Sequence, residues 1–158
     1  MLNNSENNLQ RNLDYWDRLF WEAKSLLDRS SAEDYSNDLN LSNGLNEKTL
    51  EYREMTKKIY RLMLTKDERI SNLIDKYFNL KDLVEMNNRL IGTGFIGGKS
   101  LGMLLARNIL HKNNSSNYSK YLEEHDSFYI GSDVFYTYIV QNGWWKLRLK
   151  QENRRGLL

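Results

Sequence analysis

The sequence predicts an α+β protein that is mostly helical, in which a helical N-terminal half leads into a small α/β unit. Three patterns predict this class. Apolar residues recur at helical spacing over residues 9–27, a glycine-rich turn interrupts an apolar run over residues 89–110, and residues 128–130 form a short apolar segment suited to a strand. We therefore divide the chain into a helical N-terminal region, residues 1–88, and an α/β unit, residues 89–158.

The composition suits a single globular domain and excludes several functional classes. The chain has 158 residues, a formal net charge of +2 and no cysteine, so it offers no disulfide framework, no cysteine-based metal site and no thiol nucleophile. Near-equal numbers of acidic and basic residues argue against a dedicated nucleic-acid surface. The first residues lack the pattern of a signal peptide, and no apolar run approaches the length of a membrane span. We expect a cytoplasmic protein with neither a nucleic-acid nor a membrane partner.

The sequence pattern of residues 1–64 predicts two helices separated by a loop. Residues 9–27 carry one apolar stripe with the charged residues off it, which is typical of an amphipathic helix. Residues 30–46 are rich in Ser, Asn and Asp and predict a polar loop. Helical spacing resumes over residues 47–64, and Asn46 is the expected N-cap.

A capping box is predicted where the third helix begins. Thr65 and Glu68 have the spacing at which the two side chains satisfy each other's free amides, and the helix would continue to Tyr77. A short helix over residues 81–88 then leads to the glycine-rich turn. The acidic residues of this region fit solvated helix faces or caps, so we assign none of them a catalytic role. They include Glu68, Asp75, Asp82 and Glu85.

The glycine-rich turn is the predicted functional element. It contains four glycines, Gly92, Gly94, Gly97 and Gly98. Helical spacing starts directly after Gly98 and continues to His111, so Gly97 and Gly98 lie at a helix N-terminus, where free amides and the helix dipole favour an anion such as phosphate. Lys99 adds a full positive charge there. The alternative is a structural turn in which Ser100 helps to cap the helix and Lys99 is a solvated surface lysine.

Two nucleotide-binding motifs fit the turn incompletely. Residues 92–97 have the spacing G-x-G-x-x-G of a dinucleotide site, which also needs a preceding buried strand and an acidic residue about twenty positions further on. Only Leu90 and Ile91 precede the turn, and the polar segment 113–120 contains no acidic residue. A P-loop needs a glycine at the position of Thr93. A nicotinamide-binding domain would require a parallel sheet with residues 92–97 in its first turn.

The C-terminal part predicts a strand and a further helix. Residues 128–130 are fully apolar, which is typical of a strand buried between helices. Ser132 is expected to cap the next helix, and Asn142 and Gly143 are expected to end it. Its inward-facing residues would be Val134, Phe135, Tyr138 and Ile139. The basic segment 144–158 suits a membrane surface or nucleic acid in principle, but it is most simply a solvated helix end.

Two sequence blocks, IGTGFIGGKSLGMLLARNIL and HDSFYIGSDVFYTYIVQNG, occur in this order. In the first, a Gly-Gly-Lys turn with a following small residue opens a helix. In the second, a strand of the form x-F-x-I precedes another helix. From about Leu83 through Trp145, about sixty of the 158 residues, the chain resembles the start of the nucleotide-binding domain of the phosphoenolpyruvate synthase and pyruvate phosphate dikinase family.

The resemblance implies an ATP-binding protein. Members of this family have an ATP-grasp domain, from which a phosphoryl group passes to a histidine on a separate swivelling domain and then to pyruvate. The family's Gly-Gly-Lys turn lies among the ATP phosphates, which implies Gly97, Gly98, Lys99 and Ser100 as ATP-binding residues. Mg²⁺ is expected with the ATP. The family's metal-binding carboxylates and catalytic residues lie downstream of the matched region, so we assign no metal ligand and no catalytic residue.

The resemblance also implies that residues 89–158 are an incomplete ATP-grasp unit. Family members continue well beyond the matched region, so we expect an N-terminal fragment of such a phosphotransferase, or one piece of a split protein, with little activity alone. Its partners would be ATP and the missing C-terminal domains on another chain. The alternative is a non-catalytic helical interaction module that binds a partner chain through an exposed core edge.

Overall fold

A computed structural model describes residues 2–29, 47–112, 121–122 and 126–155, and over these residues the protein is mostly helical with one small sheet. The predicted mostly helical α+β class is confirmed. The predicted loop 30–46, with Asn46, lies outside the described residues. In chain order the elements are α1 (Leu2–Asp28), α2 (Glu47–Met63), α3 (Glu68–Tyr77), α4 (Leu80–Asn88), β1 (Leu90–Ile91), α5 (Gly98–Lys112), β2 (Tyr129–Ile130), α6 (Ser132–Gln141) and α7 (Trp145–Arg155).

Helices α1, α2 and α4 form the centre of the core. Helix α4 packs against both α1 and α2, and α1 also contacts α2. The stripe predicted for the first helix is confirmed where its side chains are described, since Trp16, Leu19, Phe20, Ala23 and Leu26 are buried. Burial of each large apolar side chain stabilises the fold by about 1.5–3 kcal/mol, which is why this short chain can order its first helix.

Helix α5 joins the α/β unit to this core. It packs against α3, and its residues Leu101 and Leu104 are buried in the same apolar cluster as the side chains of α1. The Asn108 side-chain amide donates a hydrogen bond to the Tyr77 carbonyl at 3.1 Å. Residues 1–88 and 89–158 therefore contribute to one continuous core.

The helix caps differ from those predicted. Asp67 is the N-cap of α3, and its carboxylate accepts the Arg69 amide at 2.9 Å. Thr65 lies two residues before this cap, where its hydroxyl accepts the Asp67 amide at 3.0 Å. The predicted capping box of Thr65 and Glu68 is therefore wrong.

A capping box does occur one helix later. The Asn79 side chain accepts the Asp82 amide and the Asp82 carboxylate accepts the Asn79 amide, both at 2.9 Å. Because two otherwise unpaired amides are satisfied in this way, α4 begins at Leu80.

The two strands pair in parallel, with α5 as the crossover helix. Leu90 lies opposite Tyr129, and Ile91 lies opposite Ile130. Successive side chains of a strand point to opposite faces, and within the described residues one face of this sheet is covered and the other is not: Tyr129 is buried, whereas Ile130 is 62% exposed. The expectation that residues 128–130 are buried between helices is therefore wrong for Phe128, which is 65% exposed, and for Ile130.

Helix α6 does not face the core. None of its residues is buried, and the predicted inward-facing residues Val134, Phe135 and Tyr138 are exposed, while Ile139 is half-buried. Helix α6 packs against α7 instead, after a turn in which Gly143 has a φ of +68°. The predicted end of α6 at Asn142 and Gly143 is confirmed. Among the described residues, no helix is long and apolar enough to cross a membrane.

One side-chain hydrogen bond connects α1 to the end of α4. The Trp16 indole N–H donates to the Asn87 side-chain oxygen at 2.8 Å, across 71 positions of sequence. We expect Trp16→Phe to lower the free energy of unfolding by about 1–2 kcal/mol, because it leaves a half-buried acceptor unpaired. Chemical denaturation followed by circular dichroism measures the change. Trp21→Phe is the matched control, since Trp21 is 70% exposed on the same helix. Equal losses in both variants would contradict this role of the hydrogen bond.

Candidate functional site

The loops that follow the two parallel strands meet at the carboxyl edge of the sheet. The Gly131 amide donates to the Ile91 carbonyl at 2.9 Å, which extends the strand pairing by one bond. The glycine-rich turn, residues 92–98, therefore lies beside the first residues of α6. Ligands of α/β proteins bind at this edge of a sheet.

The start of α6 holds the turn in one geometry. The Asp133 carboxylate accepts the Thr93 amide at 2.8 Å and the Thr93 hydroxyl at 3.0 Å. The Ser132 hydroxyl accepts the Phe95 amide at 3.1 Å. The expectation that Ser132 caps α6 is wrong, because the N-cap is Gly131 and makes no side-chain cap bond. The Ser132 hydroxyl binds the turn instead.

The first two glycines of the turn are required by this contact. Gly92 and Gly94 have φ values of +79° and +84°, a conformation that side chains with a Cβ rarely adopt. A Cβ at Gly92 would lie 2.5 Å from Asp133 Oδ1, and a Cβ at Gly94 would lie 2.5 Å from Ser132 Oγ. These two glycines therefore serve the packing of the turn on α6.

The next two glycines have no such internal requirement. No heavy atom lies within 4 Å of a Cβ built on Gly97 or Gly98, and both residues are exposed. Neither has a positive φ. The space over this part of the backbone is open, which is what close approach of a ligand would need.

This open part of the backbone is the N-terminus of a 15-residue helix. Helix α5 begins at Gly98, and the Leu101 amide donates to the Gly97 carbonyl at 3.1 Å. The amides of Gly98, Lys99 and Ser100 precede the first intrahelical donor, and they have no hydrogen-bond acceptor within the described residues. Such amides, together with the helix dipole, favour an anion.

Two lysines lie at the turn. Lys99 is exposed and forms no ion pair with any carboxylate of the described residues. Lys66 places its ammonium 5.7 Å from the centre of the Phe95 ring. The Ile96 amide donates to the Met63 carbonyl at 2.9 Å, and this bond brings the α2–α3 connection beside the turn. Sequence reasoning missed Lys66, because no local pattern connects it to a turn about thirty residues further on.

The geometry of the turn differs from that of a dinucleotide-binding G-x-G-x-x-G motif. A parallel sheet is present with residues 92–97 in its first turn, as that reading requires. However, α5 begins only after the last of these glycines, and the space over Gly94 is filled by Ser132. The acidic residue that follows β2, Asp133, has its carboxylate bound to Thr93 and to the Val134 amide. It is therefore not positioned to accept from a ribose hydroxyl.

The predicted site residues lie together. Gly97, Gly98, Lys99 and Ser100 form one exposed to half-buried stretch at the start of α5. In the part of the chain that the structure describes, no three His, Asp or Glu side chains lie close enough to hold a metal ion. The Asp133 carboxylate, which binds the earlier part of the turn, already accepts three hydrogen bonds. The described residues therefore offer an anion site at this turn but no group of three carboxylate or imidazole ligands for a metal ion.

The two histidines do not add to this site. His111 lies in the last turn of α5, where a positive charge is favourable against the helix dipole. His125 lies outside the described residues. Its neighbour Asp126 forms an ion pair with Arg89 at 3.1 Å, at the opposite end of the strands.

Comparison with protein-family models, with curated proteins and with solved structures finds no match to this chain. Function is therefore inferred from the geometry of the turn and from the sequence resemblance described above.

Substitution by alanine should affect stability differently at the enclosed and at the open glycines of the turn. We expect Gly94→Ala to lower the free energy of unfolding by about 2 kcal/mol or more, because the new Cβ meets Ser132 and the backbone is held at positive φ. Gly98→Ala is the matched control. It is expected to leave stability unchanged or to raise it by up to about 1 kcal/mol, because alanine favours a helix. Urea denaturation of both variants measures the difference, and a comparable loss in Gly98→Ala would contradict the open space over that residue.

Proposed function

We propose that the turn at Gly97, Gly98, Lys99 and Ser100 holds the phosphate groups of ATP. The chain would then be the N-terminal part of a phosphotransferase similar to phosphoenolpyruvate synthase or pyruvate phosphate dikinase. One observation carries this proposal: at the start of α5, amides that have no acceptor within the described residues lie beside Lys99, which pairs with no carboxylate of those residues, and the space over Gly97 and Gly98 is open.

Charge and rigidity both support phosphate binding. The amides and the dipole of α5 supply partial positive charge, and Lys99 supplies a full one. Lys66 adds a second lysine near the turn. Because Asp133 and Ser132 fix the preceding residues, the amides need little reordering when an anion binds.

The residues of the described chain would bind and orient the phosphates rather than complete the transfer. Phosphoryl transfer depends on positioning and on neutralising charge around the transferred group. Mg²⁺ bound with ATP would supply part of this charge neutralisation. Within the described residues no cluster of carboxylates exists to hold that ion. The remaining groups would come from the later domains of such an enzyme.

Substitution of the lysine tests the proposal. We expect Lys99→Ala to weaken ATP binding about tenfold or more, because one charge-assisted contact to phosphate is lost. Isothermal titration calorimetry at low salt measures it, and affinity should fall in the order ATP, ADP, AMP. Lys57→Ala is the matched control, since Lys57 is an exposed lysine of α2. Unchanged ATP affinity in Lys99→Ala, or no binding by the wild-type chain, would overturn the phosphate site.

A specific observation favours the second candidate function, a module that binds a partner chain. Among the described residues, the two strands and the segment that follows them through α7 carry a set of exposed apolar residues, which we call the uncovered surface. It comprises Ile91, Phe128, Ile130, Val134, Phe135, Tyr136, Tyr138, Val140, Trp144, Trp145, Leu147 and Leu149. Large exposed apolar patches mark interaction sites on soluble proteins, and parallel sheets are normally covered on both faces.

The shape of the uncovered surface suits a polypeptide partner. Successive helix residues are about 100° apart, so Val134, Phe135 and Tyr136 point to different sides of α6. A flat surface would cover only one of these sides, whereas a folded chain can surround the helix.

Association of the purified chain tests this second function. We expect the wild-type chain to associate as its concentration rises, and Phe135→Ser to reduce that association, because an exposed aromatic contact of α6 is removed. Sedimentation velocity over a range of concentrations measures it. Leu50→Ser is the matched control, since Leu50 is similarly exposed on α2, away from the uncovered surface. A chain that stays monomeric throughout, with no effect of Phe135→Ser, would contradict this function without affecting the phosphate site.

A further inference from the structure

The outer edge of strand β2 has backbone groups without hydrogen-bond partners. On the inner edge, the Tyr129 amide donates to the Arg89 carbonyl at 2.8 Å. Two residues later, the Gly131 amide donates to the Ile91 carbonyl at 2.9 Å. Because alternate residues of a strand direct their backbone groups to opposite edges, the N–H and C=O groups of Ile130 point away from β1. Within the described residues these two groups have no hydrogen-bond partner.

Nothing in the sequence around β2 protects this edge. Folded proteins protect their edge strands with charged side chains, proline, bulges or a covering element. Residues 127–132, with the sequence SFYIGS, contain no charged residue and no proline. Ile130 is 62% exposed, so its surface is largely open to solvent in the described chain. The edge is therefore accessible to a further strand, and a sheet of only two strands gains stability from one.

A second copy of the chain can satisfy both groups at once. In an antiparallel pair, two residues that lie directly opposite each other can exchange both of their N–H···O=C bonds. When a twofold axis passes beside Ile130, the Ile130 residues of the two copies form such a pair, and each copy uses the same edge. Phe128 of one copy then lies opposite Ser132 of the other, where α6 begins. Residues 128–132 carry no charge, so this register brings no like charges together.

The apolar surface beside this edge is large enough for a stable dimer. Ile91 lies opposite Ile130 in the sheet, Phe128 points to the same face, and only Gly131 separates β2 from α6. The six aromatic residues of the uncovered surface are 43–65% exposed. Since one aromatic side chain has a surface of about 150–250 Å², these six expose roughly 600 Å². A standard interface takes about 800 Å² from each partner, and the aliphatic residues of the uncovered surface can supply the remainder.

We propose that two copies of this chain pair through the outer edges of β2, antiparallel about Ile130, and form one four-stranded sheet of order β1-β2-β2-β1. The proposal rests on the second candidate function, a module that binds a partner chain, and it identifies that partner as a second copy. It does not depend on ATP binding, because none of the pairing groups belongs to the phosphate site.

Proline at position 130 tests the hydrogen bonds of the pair. Ile130→Pro removes the outward N–H and keeps the amides of Tyr129 and Gly131, which face β1. In sedimentation velocity the wild-type chain should show monomers and dimers and no larger species. Ile130→Pro should weaken dimerisation at least about tenfold. Ile130→Thr is the matched control, because it keeps the N–H and a β-branched side chain, and it should weaken dimerisation less.

The outcomes separate this pairing from the second candidate function. Association that Phe135→Ser reduces and Ile130→Pro leaves unchanged overturns the pairing through β2, while the second candidate function stands. A wild-type chain that stays monomeric at every concentration overturns both.

Cysteine cross-linking is a second arm that does not require Ile130→Pro to fold. The chain has no cysteine, so a single introduced thiol can cross-link only to the same thiol of another copy. Opposed Cα atoms of a hydrogen-bonded antiparallel pair are about 5.5 Å apart, within the range of about 4.4–6.8 Å that a disulfide spans. Ile130→Cys should form a covalent dimer under mild oxidation, at concentrations where Val140→Cys, 59% exposed in the native residue on α6, does not. Equal cross-linking of the two variants, or none in Ile130→Cys, overturns the proposal.

Discussion

The contact between the Asp133 carboxylate and Thr93 determines the geometry of the candidate phosphate site. Two hydrogen bonds, at 2.8 and 3.0 Å, join residues forty positions apart and connect the loops that follow the two strands. This contact explains the glycines at 92 and 94, because the backbone must approach the first turn of α6 more closely than a Cβ allows. The free amides at the start of α5 are presented by a turn that is already fixed. A preorganised group of donors binds an anion with little loss of conformational entropy.

The sequence predicted the elements that depend on local patterns. The stripe of α1 and the helix that begins at Gly98 follow from helical spacing and from the placing of glycine, and both are observed. The roles of individual glycines could not be assigned in the same way. Gly92 and Gly98 look alike in sequence, but one is enclosed by Asp133 and Val134 and the other is open. That difference arises from residues that meet only when the sheet forms.

The two wrong predictions of helix caps share a physical cause, which is that more than one backbone amide competes for the same side-chain hydroxyl. Ser132 has the right side chain to cap α6, but its hydroxyl accepts the Phe95 amide instead, and Thr65 likewise binds the amide of the true cap, Asp67.

The apolar pattern of α6 correctly predicted a helix, but it could not show whether anything covers that helix. Within the described chain, Phe135 and Tyr138 remain exposed. The spacing of apolar residues shows that a helix has an apolar face, but it does not show whether another element packs on that face.

The contacts of α6 with the turn also have a dynamic consequence. The helix holds the turn through Asp133 and Ser132 at its N-terminal end, while its later residues contact α7 and, within the described chain, none of them is buried. A helix with so few neighbours fluctuates more than one inside a core, and any tilt of α6 would be transmitted directly to the backbone from Thr93 to Phe95. A polypeptide bound over α6 would reduce that motion and would hold the amides of Gly98 and Lys99 in a more uniform orientation. The affinity of the turn for an anion would then depend on whether a partner polypeptide is bound to α6, and this ten-residue helix would connect the two binding sites.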